Sequence, residues 1–447
     1  MKRRSDLPIG SPPTRSRRAF LSSGLKAVAW GGAGPQVLRT GVLAANGNPG
    51  ANDRIGIGFI GIGRQASGLL AMLPGIKEAR VAGFADVNLK RAEAAAARHD
   101  TVAVQDYRRL LDRREVDAVI IATPEQWRGL MCIHACQAGK DLYVEKPMSF
   151  TIREGRLIVQ AVRKYRRVFQ TGSQQRSQWP NHCGCLLVRS GAIGKIRRVI
   201  AHNYPSPWHG ALPGEPVPEG LDWNLWLGPA EPVPYCENLY LPRAKPGWLS
   251  FRAFSGGEMT GWGAHGFDQV QCALGMDAAG PIEVWTEGPK FDPPTYREVE
   301  SKDRGDKICR QPKVFMRYPG DIVMELGEAP PGGAIFIGER GRITIDRGLV
   351  KSDPPELAEE ALERRPAGFV ENHQRNWINC IKSREAPIAD VEIGHRSTTV
   401  CHLGNIARET GRRLTWDPER EQFVGDAAAN ELLDRPRRKG FELPDRI

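Results

Sequence analysis

The sequence lacks a segment that can be read as a stable membrane span. A transmembrane helix needs about 20 consecutive, mostly apolar residues. The most suggestive stretch, Leu25 to Leu43, is only mildly apolar, contains four glycines and Pro35, and is interrupted by Arg39. We therefore expect a protein without a membrane anchor in this region.

Cysteines are few, and their spacing fits neither a disulfide framework nor a metal site. There are nine, an odd number. Cys132 and Cys136 lie four positions apart on a predicted helix, and Cys183 and Cys185 are separated by one glycine. A structural zinc site needs four ligands at matched spacing, and no such set is evident. The sequence predicts core thiols and no metal.

Acidic residues are scarce in the first 45 residues, which accounts for most of the charge imbalance. The chain carries a formal net charge of +11, but residues 1–45 hold eight Lys or Arg and a single acid, Asp6. Beyond them the net charge is +4, which is ordinary for the length. This distribution removes the main support for nucleic-acid binding.

The basic N-terminus has a more specific interpretation. Ser16-Arg17-Arg18-Ala19-Phe20-Leu21 resembles a twin-arginine export signal, and Ala44 and Ala45 offer small residues for cleavage. We expect residues 1–45 to be a signal peptide, the twin-arginine translocase to be a transient partner, and the mature protein to be periplasmic or otherwise exported. The alternative is a disordered basic tail.

The most informative stretch is the glycine-rich segment from Arg54 to Ala66. An apolar run with Ile57, Phe59 and Ile60 predicts a strand buried on both faces. Gly61-x-Gly63-x-x-Ala66 follows and opens a helix. Such a turn lets the backbone approach a pyrophosphate, which then meets the N–H groups of the helix N-terminus. The competing frame Gly56-x-Gly58-x-x-Gly61 would end the strand before Phe59.

A second strand, Arg80 to Ala85, ends at Asp86, 25 positions after Gly61. A carboxylate at this place grips the ribose hydroxyls of an adenosine and repels a 2′-phosphate. The sequence thus predicts NAD as cofactor, with NADP as the alternative because Lys90 and Arg91 lie nearby. Asp86 could also be only a turn residue or helix cap.

The length predicts two domains. Short apolar runs alternate with helical stretches from Arg54 onward, which is typical of a doubly wound parallel sheet. We expect an α/β protein with a Rossmann-type domain at 52–172, a second domain at 173–425 and a solvated basic tail at 426–447. The helices Asn372 to Ile381 and Ile393 to Arg408 are expected to pack back on the first domain.

Several motifs occur in a recognisable order along the chain. They are the glycine turn, Asp86, Ala122-Thr123-Pro124, Gly139-Lys140, Glu145-Lys146-Pro147, Gln174-Gln175-Arg176-Ser177, Leu227-Gly228-Pro229 and Trp262-Gly263-Ala264-His265-Gly266-Phe267-Asp268. Together they resemble the Gfo/Idh/MocA family of NAD(P)-dependent oxidoreductases. The resemblance runs from about Arg54 to Trp416. It implies a C-terminal α+β domain with a largely antiparallel open sheet, through which the chain would form a homodimer or homotetramer.

The resemblance also assigns site residues. It implies cofactor contacts from Gly61, Gly63, Arg64, Gln65, Asp86, Thr123, Pro124, Glu145 and Lys146. Hydride transfer needs a group that takes or returns the carbinol proton. The resemblance gives this role to Lys146, with His265 as the second catalytic candidate. A lysine paired with Glu145 for structural reasons alone is the alternative.

One departure from the family pattern stands out. Gly261 lies where an aspartate is commonly found, four positions before His265. Asp268 could orient His265 or be structural, and the substrate candidates are Arg176, Trp262, His265 and Asp268. Arg128 is a weaker site candidate.

A Trp- and Pro-rich stretch, Pro205 to Pro246, interrupts the second domain. Its aromatic rings could stack on a sugar, or they could pin a long loop to the core. His395, Arg396 and His402 are expected to be structural.

Three functions are compatible with these residues. The first is an exported oxidoreductase that transfers a hydride between a tightly bound nicotinamide cofactor and a sugar, polyol or sugar derivative. The second, which resembles a branch of the same family, is an NAD-dependent glycoside hydrolase that oxidises, eliminates, hydrates and re-reduces its substrate. The third is a non-catalytic sugar-binding protein that retains NAD.

Overall fold

A computed structural model describes residues 53–242, 247–293, 295–297 and 311–447. The predicted export signal at 1–45 lies outside the described residues, as do residues 243–246 of the Trp- and Pro-rich stretch. Within the described part of the chain, no helix has the length and apolarity needed to cross a membrane.

The first domain is a six-stranded, entirely parallel sheet with the strand order β3-β2-β1-β4-β5-β6. Its strands are β1 (Ile55–Ile60), β2 (Ala79–Ala85), β3 (Ala103–Val104), β4 (Ala118–Ile121), β5 (Asp141–Val144) and β6 (Phe169–Thr171). The helices that connect or follow them are α1 (Arg64–Met72), α2 (Leu89–His99), α3 (Tyr107–Leu111), α4 (Glu125–Gln137) and α5 (Ile152–Lys164). The prediction of a doubly wound parallel sheet is confirmed.

The strand order reverses between β1 and β4. In such sheets ligands bind beyond the carboxyl ends of the strands at this point. The glycine turn follows β1 and Thr123 follows β4, so the fold brings both predicted cofactor segments to the same edge. Helix α4 begins at Glu125, directly after this segment, with Pro124 as its N-cap.

The second domain contains a nine-stranded sheet in the order β13-β12-β11-β7-β10-β9-β8-β14-β15. Its strands are β7 (Ile196–His202), β8 (Glu283–Glu287), β9 (Lys313–Tyr318), β10 (Ile322–Gly327), β11 (Ala334–Gly338), β12 (Gly341–Asp346), β13 (Leu349–Asp353), β14 (Leu414–Asp417) and β15 (Gln422–Phe423). All described pairings are antiparallel except that of β10 with β7. The predicted, largely antiparallel second sheet is therefore confirmed.

Helices of the second half of the chain pack on both sheets. They are α6 (Trp179–Arg189), α7 (Trp223–Leu227), α8 (Glu237–Tyr240), α9 (Glu258–Gly261), α10 (Gly263–Ala273), α11 (Glu356–Glu363), α12 (His373–Ser383), α13 (Val391–Thr410) and α14 (Ala427–Glu431). Trp377 and Ile378 of α12 share a core with Phe59 of β1. Helix α13 contributes Val391 to a core of the first domain and Leu403 to that of the second.

The C-terminal tail is not the solvated arm that its arginines suggested. Arg437 forms an ion pair with the buried Glu154 at 2.9 Å, and Arg435 lies 4.3 Å above the Phe150 ring. Phe441 packs edge-on against Trp127 with the ring centroids 5.4 Å apart. The charge pattern misled because each of these cations has a partner on the first domain that is distant in sequence.

The cysteines of the described residues are buried and form no disulfide. No cluster of three or more His, Cys, Asp or Glu side chains in the same residues has a geometry that could hold a metal ion. Cys309 lies outside the described residues.

Candidate active site

A cavity of about 710 Å³ lies at the carboxyl edge of the parallel sheet. This volume is within the range of small-molecule and cofactor sites. The first domain contributes the glycine turn, Asp86, the Thr123–Pro124 segment and the Glu145–Lys146 segment to its wall. The second domain contributes Gly261 and an aromatic segment described below.

The glycine turn has the geometry that phosphate binding requires. Gly61 has φ +82°, and an added Cβ would lie 2.9 Å from the Thr123 side chain, so a larger residue is excluded. A Cβ on Gly63 would instead project into open space, with no atom within 4 Å. Gly63 is also the N-cap of α1 and brings no side-chain cap to that end of the helix. The backbone there can approach an anion closely.

Asp86 lies at the end of β2 and lines the cavity. One of its carboxylate oxygens accepts a hydrogen bond from Ile62 N at 2.7 Å, and the other accepts one from Asn88 N at 2.9 Å. Arg91 lies 3.6 Å away. The helix cap is Asn88, which accepts from Arg91 N, so Asp86 is free of that role. It is a turn residue and a cavity residue at once.

Glu145 is held firmly in the cavity wall. It is buried, and one oxygen accepts hydrogen bonds from Gln65 Nε2 at 2.8 Å and Gln174 Nε2 at 3.0 Å. A Cβ on Gly172 would lie 2.9 Å from its carboxyl carbon. Gln65 therefore joins α1 to the end of β5 through Glu145. Arg64, beside it, also lines the cavity.

Lys146 reaches across the domain boundary. Its Nζ donates a hydrogen bond to the carbonyl oxygen of Gly261 at 3.0 Å. Both residues line the cavity. The lysine side chain thus spans from the end of β5 to the short helix α9 and places an ammonium group in the wall.

Arg128 and Glu125 form the rigid support behind this wall. Arg128 donates to Thr123 O at 2.7 Å and to Pro147 O, which fixes the two loops relative to each other. Glu125 is fully buried and accepts hydrogen bonds from Ser255 Oγ and Thr260 Oγ1. Burial raises the pKa of Glu125, while the Arg128 charge and these hydrogen bonds oppose the increase.

The side-chain position that Gly261 leaves vacant is filled by another acid. An ideal Cβ at 261 would lie 2.7 Å from Oε2 of Glu258, one turn earlier in α9. The resemblance led us to expect a carboxylate attached to residue 261. The structure places a carboxylate there, but it comes from Glu258.

His265 and Trp262 lie next to each other at the start of α10. Their rings are 5.8 Å apart, edge to face, and His265 is buried. The Arg347 guanidinium lies 4.7 Å above the Trp262 ring. Neither Trp262 nor His265 is among the residues that line the cavity.

Arg176 and Asp268, two of the predicted substrate residues, do not line the cavity. The two residues form a buried ion pair, with Arg176 Nε 2.9 Å from both carboxylate oxygens. Asp277 Oδ1 and Ser397 Oγ complete their hydrogen bonding. The pair lies in the interior of the second domain and outside the cavity lining. A buried charge needs such a partner, and here each of the two residues supplies one to the other.

A segment of the second domain lines the end of the cavity near Asp86. We call residues 219–242 the cap segment. Leu225, Trp226 and Tyr240 line the cavity from this segment. Tyr240 lies under Arg91, with the guanidinium 5.2 Å from its ring centroid, close to Asp86.

The cap segment is hydrogen-bonded to the first domain at two places. Asp222 N donates to Val87 O, and Leu89 N donates to Gly220 O, both at 2.9 Å. Trp127 Nε1 donates to Leu225 O at 2.9 Å and Trp226 O at 3.1 Å.

Gly228 of the Leu-Gly-Pro motif explains the second attachment. It has φ +51°, and an added Cβ would lie 2.2 Å from the Trp127 ring. Only glycine allows this contact.

The aromatic rings in and next to this stretch hold the loop together, and some of them also line the cavity, while stacking on a sugar stays a prediction. Trp208, Trp223, Tyr235 and Phe251 form a separate buried cluster that holds the loop together. Trp226, Tyr240 and Trp248 also face the cavity. No sequence pattern pointed to Glu125 or Glu258, since acids near a helix start are common. Tyr240 belongs to the aromatic stretch already singled out from the sequence.

The cavity fits a dinucleotide. Open space faces Gly63, a helix N-terminus lies beside it, and a carboxylate lies at the end of β2, as an NAD site requires.

Comparison with known families agrees with this geometry. Residues 55–173 match the Gfo/Idh/MocA model described as "Oxidoreductase family, NAD-binding Rossmann fold". Residues 187–443 match the model described as "Oxidoreductase family, C-terminal alpha/beta domain".

Among curated relatives, "Glycosyl hydrolase family 109 protein 2" of Shewanella sp. (strain ANA-3) is 38% identical over 112 residues, 23% of this chain and 25% of the relative. "Inositol 2-dehydrogenase" of Rubrobacter xylanophilus is 30% identical over 151 residues, 32% of this chain and 42% of the relative. The chain thus spans a quarter to two fifths of the length of these relatives.

Among solved structures, the aldose-aldose oxidoreductase from Caulobacter crescentus, complexed with glycerol, superposes with a TM-score of 0.57 at 18% identity. The superposition covers 81% of this chain and 99% of that one. At this identity the likeness shows the fold alone.

Proposed function

The chain belongs to the Gfo/Idh/MocA oxidoreductase family, and on that premise we propose that it transfers a hydride between a tightly held NAD and a sugar, polyol or sugar derivative. The observation that carries the proposal is Lys146, whose ammonium lies in the cavity wall and bonds to Gly261 of the second domain. A proton donor at the junction of both domains is where a carbinol substrate would meet the cofactor.

The residues of this chain divide the work. When bound, the nicotinamide supplies the hydride acceptor or donor. Gly61, Gly63 and the N-terminus of α1 would hold the pyrophosphate, and Asp86 the adenosine ribose. Lys146 would hold the substrate hydroxyl and take or return its proton. His265 remains the second candidate for proton transfer, on the segment that follows Gly261.

Tight retention of the cofactor is supported by the cap segment. It covers the cavity near Asp86 and is attached to the first domain at both the β2–α2 turn and Trp127. A cofactor enclosed in this way exchanges slowly. Its redox state must then be restored by a second substrate or within one reaction cycle.

The glycoside hydrolase reading is the second candidate, and one comparison favours it. The Shewanella relative is named as a glycosyl hydrolase of family 109, and the match covers a quarter of its length. A transient oxidation followed by re-reduction would use the same lysine and would need no free cofactor.

We also propose that the protein is exported through the twin-arginine route, on the basis of Ser16-Arg17-Arg18-Ala19-Phe20-Leu21. Replacing Arg17 and Arg18 with lysine should retain the precursor in the cytoplasm. Full export of the double variant, measured by cell fractionation, would contradict the proposal.

The functional proposal is tested by incubating the purified, unsupplemented protein with mixed glycosides and free sugars. The absorbance of the reduced cofactor and the sugar products are followed together. Accumulation of reduced cofactor with an oxidised sugar supports the oxidoreductase. Hydrolysis without net reduction identifies the glycosidase instead, and neither product identifies a protein that only binds.

A further inference from the structure

Glu125 is a buried acid of the first domain whose carboxylate is bound by the second domain. It lines the cavity as the first residue of α4, directly after the Thr123–Pro124 segment. One carboxylate oxygen accepts a hydrogen bond from Ser255 Oγ at 2.8 Å, and the other accepts one from Gly256 N at 3.0 Å. Thr260 Oγ1 lies 3.1 Å from both oxygens. An ionised carboxylate only accepts hydrogen bonds, so it suits a turn that presents donors.

The turn that binds Glu125 is anchored in the second domain. We call residues 255–261 the site turn. Met259 of this turn belongs to the core of the second domain, and its N donates to Pro205 O at 2.9 Å. Asn405 of α13 donates through Nδ2 to Gly256 O at 2.8 Å. The Glu125 carboxylate therefore joins the first domain to a turn that the second domain already holds.

Lys146 attaches the first domain to the same turn at a second point. Its Nζ donates to the carbonyl oxygen of Gly261, the last residue of the site turn, at 3.0 Å. Glu125 follows β4 and Lys146 follows β5, and these two strands are paired with Ile121 opposite Val144. The carboxylate and the ammonium thus reach one short turn from adjacent strands of one sheet. Two attachments to the same sheet fix both the position and the orientation of the turn.

We propose that Glu125 is a positioning residue for Lys146. By holding the site turn against the first domain, its carboxylate keeps the Gly261 carbonyl in place, and this carbonyl holds the lysine ammonium in the cavity wall. A catalytic group must be held within about 0.5 Å of its productive position by its neighbours. The inference rests on the proposed function of Lys146 in proton transfer.

Glu154 provides a matched control. It is also a buried acid of the first domain, but it accepts from Phe150 N at 2.8 Å and pairs with Arg437 of the tail at 2.9 Å. It does not line the cavity. Glu125→Met and Glu154→Met each replace a buried carboxylate with an apolar side chain of similar length. A difference between the two variants therefore reports on the site turn and not on the loss of a buried acid.

The first measurement needs no sugar. Each variant is saturated with NAD, and acetylation of Lys146 by acetic anhydride is followed by mass spectrometry, with the exposed Lys351 as internal reference. Glu125→Met should raise the rate at Lys146 at least about fivefold, because the ammonium loses its fixed acceptor. Thr260→Val removes only the hydroxyl that faces Glu125 and should raise the rate in the same direction. Glu154→Met should react as the wild type does.

The second measurement is the single-turnover rate of hydride transfer with a sugar found to react. Glu125→Met should lower this rate at least about tenfold while NAD stays bound, because a misplaced catalytic group loses its alignment with the substrate. The double variant Glu125→Met/Thr260→Val should be no slower than Glu125→Met, since both substitutions break the same contact. Glu154→Met should keep the wild-type rate.

Three results would overturn the inference. They are acetylation of Lys146 at the wild-type rate in Glu125→Met and Thr260→Val, an equal increase in Glu154→Met, and wild-type hydride transfer in Glu125→Met. If Glu125→Met does not fold, Thr260→Val alone decides. If acetylation of Lys146 follows the variants but no sugar reacts, the proposed function fails while the positioning of Lys146 by Glu125 stands.

Discussion

At the scale of single residues, the cavity is specified by a few groups whose surroundings leave little freedom. Asp86 is held by the amides of Ile62 and Asn88, and Glu145 is held by two glutamine side chains. Carboxylates fixed in this way are in position before a ligand binds, and their positions determine which ligand fits. Arg176 and Asp268 instead form a buried ion pair with each other.

Cofactor preference follows from Asp86. Asp86→Asn keeps the size of the side chain but removes its charge. We expect NAD affinity to fall about 10- to 100-fold, since hydrogen bonds to charged groups are worth about 1.5–3 kcal/mol. The difference in affinity between NAD and NADP should narrow because the repulsion of a 2′-phosphate is lost. Titration calorimetry with both cofactors measures this. Asp106→Asn, at the N-cap of α3, is the control. Tighter binding of NADP than NAD by the wild type would refute the assignment.

At the scale of elements, the sequence predicted the parallel sheet well and the cap segment poorly. Strands such as β4 are uniformly apolar and bounded by turns, so their positions and ends can be recognised in the sequence. The cap segment depends on contacts between Trp127 and residues about a hundred positions later. Local patterns contain no information about such pairs. The tail was misread for the same reason, because Arg437 finds Glu154 far away in sequence.

The cap segment should control the release of NAD. Trp127→Phe keeps an aromatic ring but removes the Nε1 donor to Leu225 O and Trp226 O. Leaving a buried acceptor unpaired costs about 1–3 kcal/mol. We expect NAD to dissociate at least about fivefold faster. Stopped-flow fluorescence after mixing with an excess of a competing nucleotide measures this rate.

The matched control is Trp179→Phe. Trp179 Nε1 donates to Leu362 O at 2.8 Å in a place remote from the cavity lining. This variant loses the same type of hydrogen bond and should release NAD at the wild-type rate. Equal release from both variants, or unchanged release from Trp127→Phe, would contradict a cap that retains the cofactor.

At the scale of the whole molecule, a charged network joins α5 of the first domain to α13 and the β14–β15 turn of the second. Arg156 forms ion pairs with Glu392 at 2.8 Å and Glu421 at 2.6 Å, and His395 Nε2 lies 2.6 Å from Glu421. Although burial acts to raise it, hydrogen bonds from Arg156 and His395 lower the pKa of Glu421 to about 2. Burial lowers the pKa of His395, so a neutral histidine donates to an ionised glutamate.

The stability of the protein should therefore depend on Glu421 at acidic pH. Its pKa is depressed from an ordinary value of 4.5, so its contribution is complete above about pH 4.5 and is lost as the pH falls through about 2. Glu421→Gln should lower the free energy of unfolding at pH 7 by about 2 kcal/mol. The difference from wild type should shrink as the pH falls from 4.5 towards 2.

Urea unfolding across this pH range measures the effect, with the exposed Glu419→Gln as control. A Glu421→Gln difference that stays constant down to pH 2 would show that the network does not act through the charge of Glu421.

The central claim is that Lys146 moves the carbinol proton during hydride transfer, and one single-turnover experiment tests it most directly. Wild-type protein loaded with NAD, Lys146→Met and the exposed control Lys351→Met are each mixed with a sugar found to react. Absorbance of the reduced cofactor is then followed. We predict that Lys146→Met keeps its bound NAD but reduces it about 10²- to 10⁴-fold more slowly, the usual cost of losing a general acid or base, while Lys351→Met matches the wild type. Reduction by Lys146→Met at the wild-type rate would contradict the account.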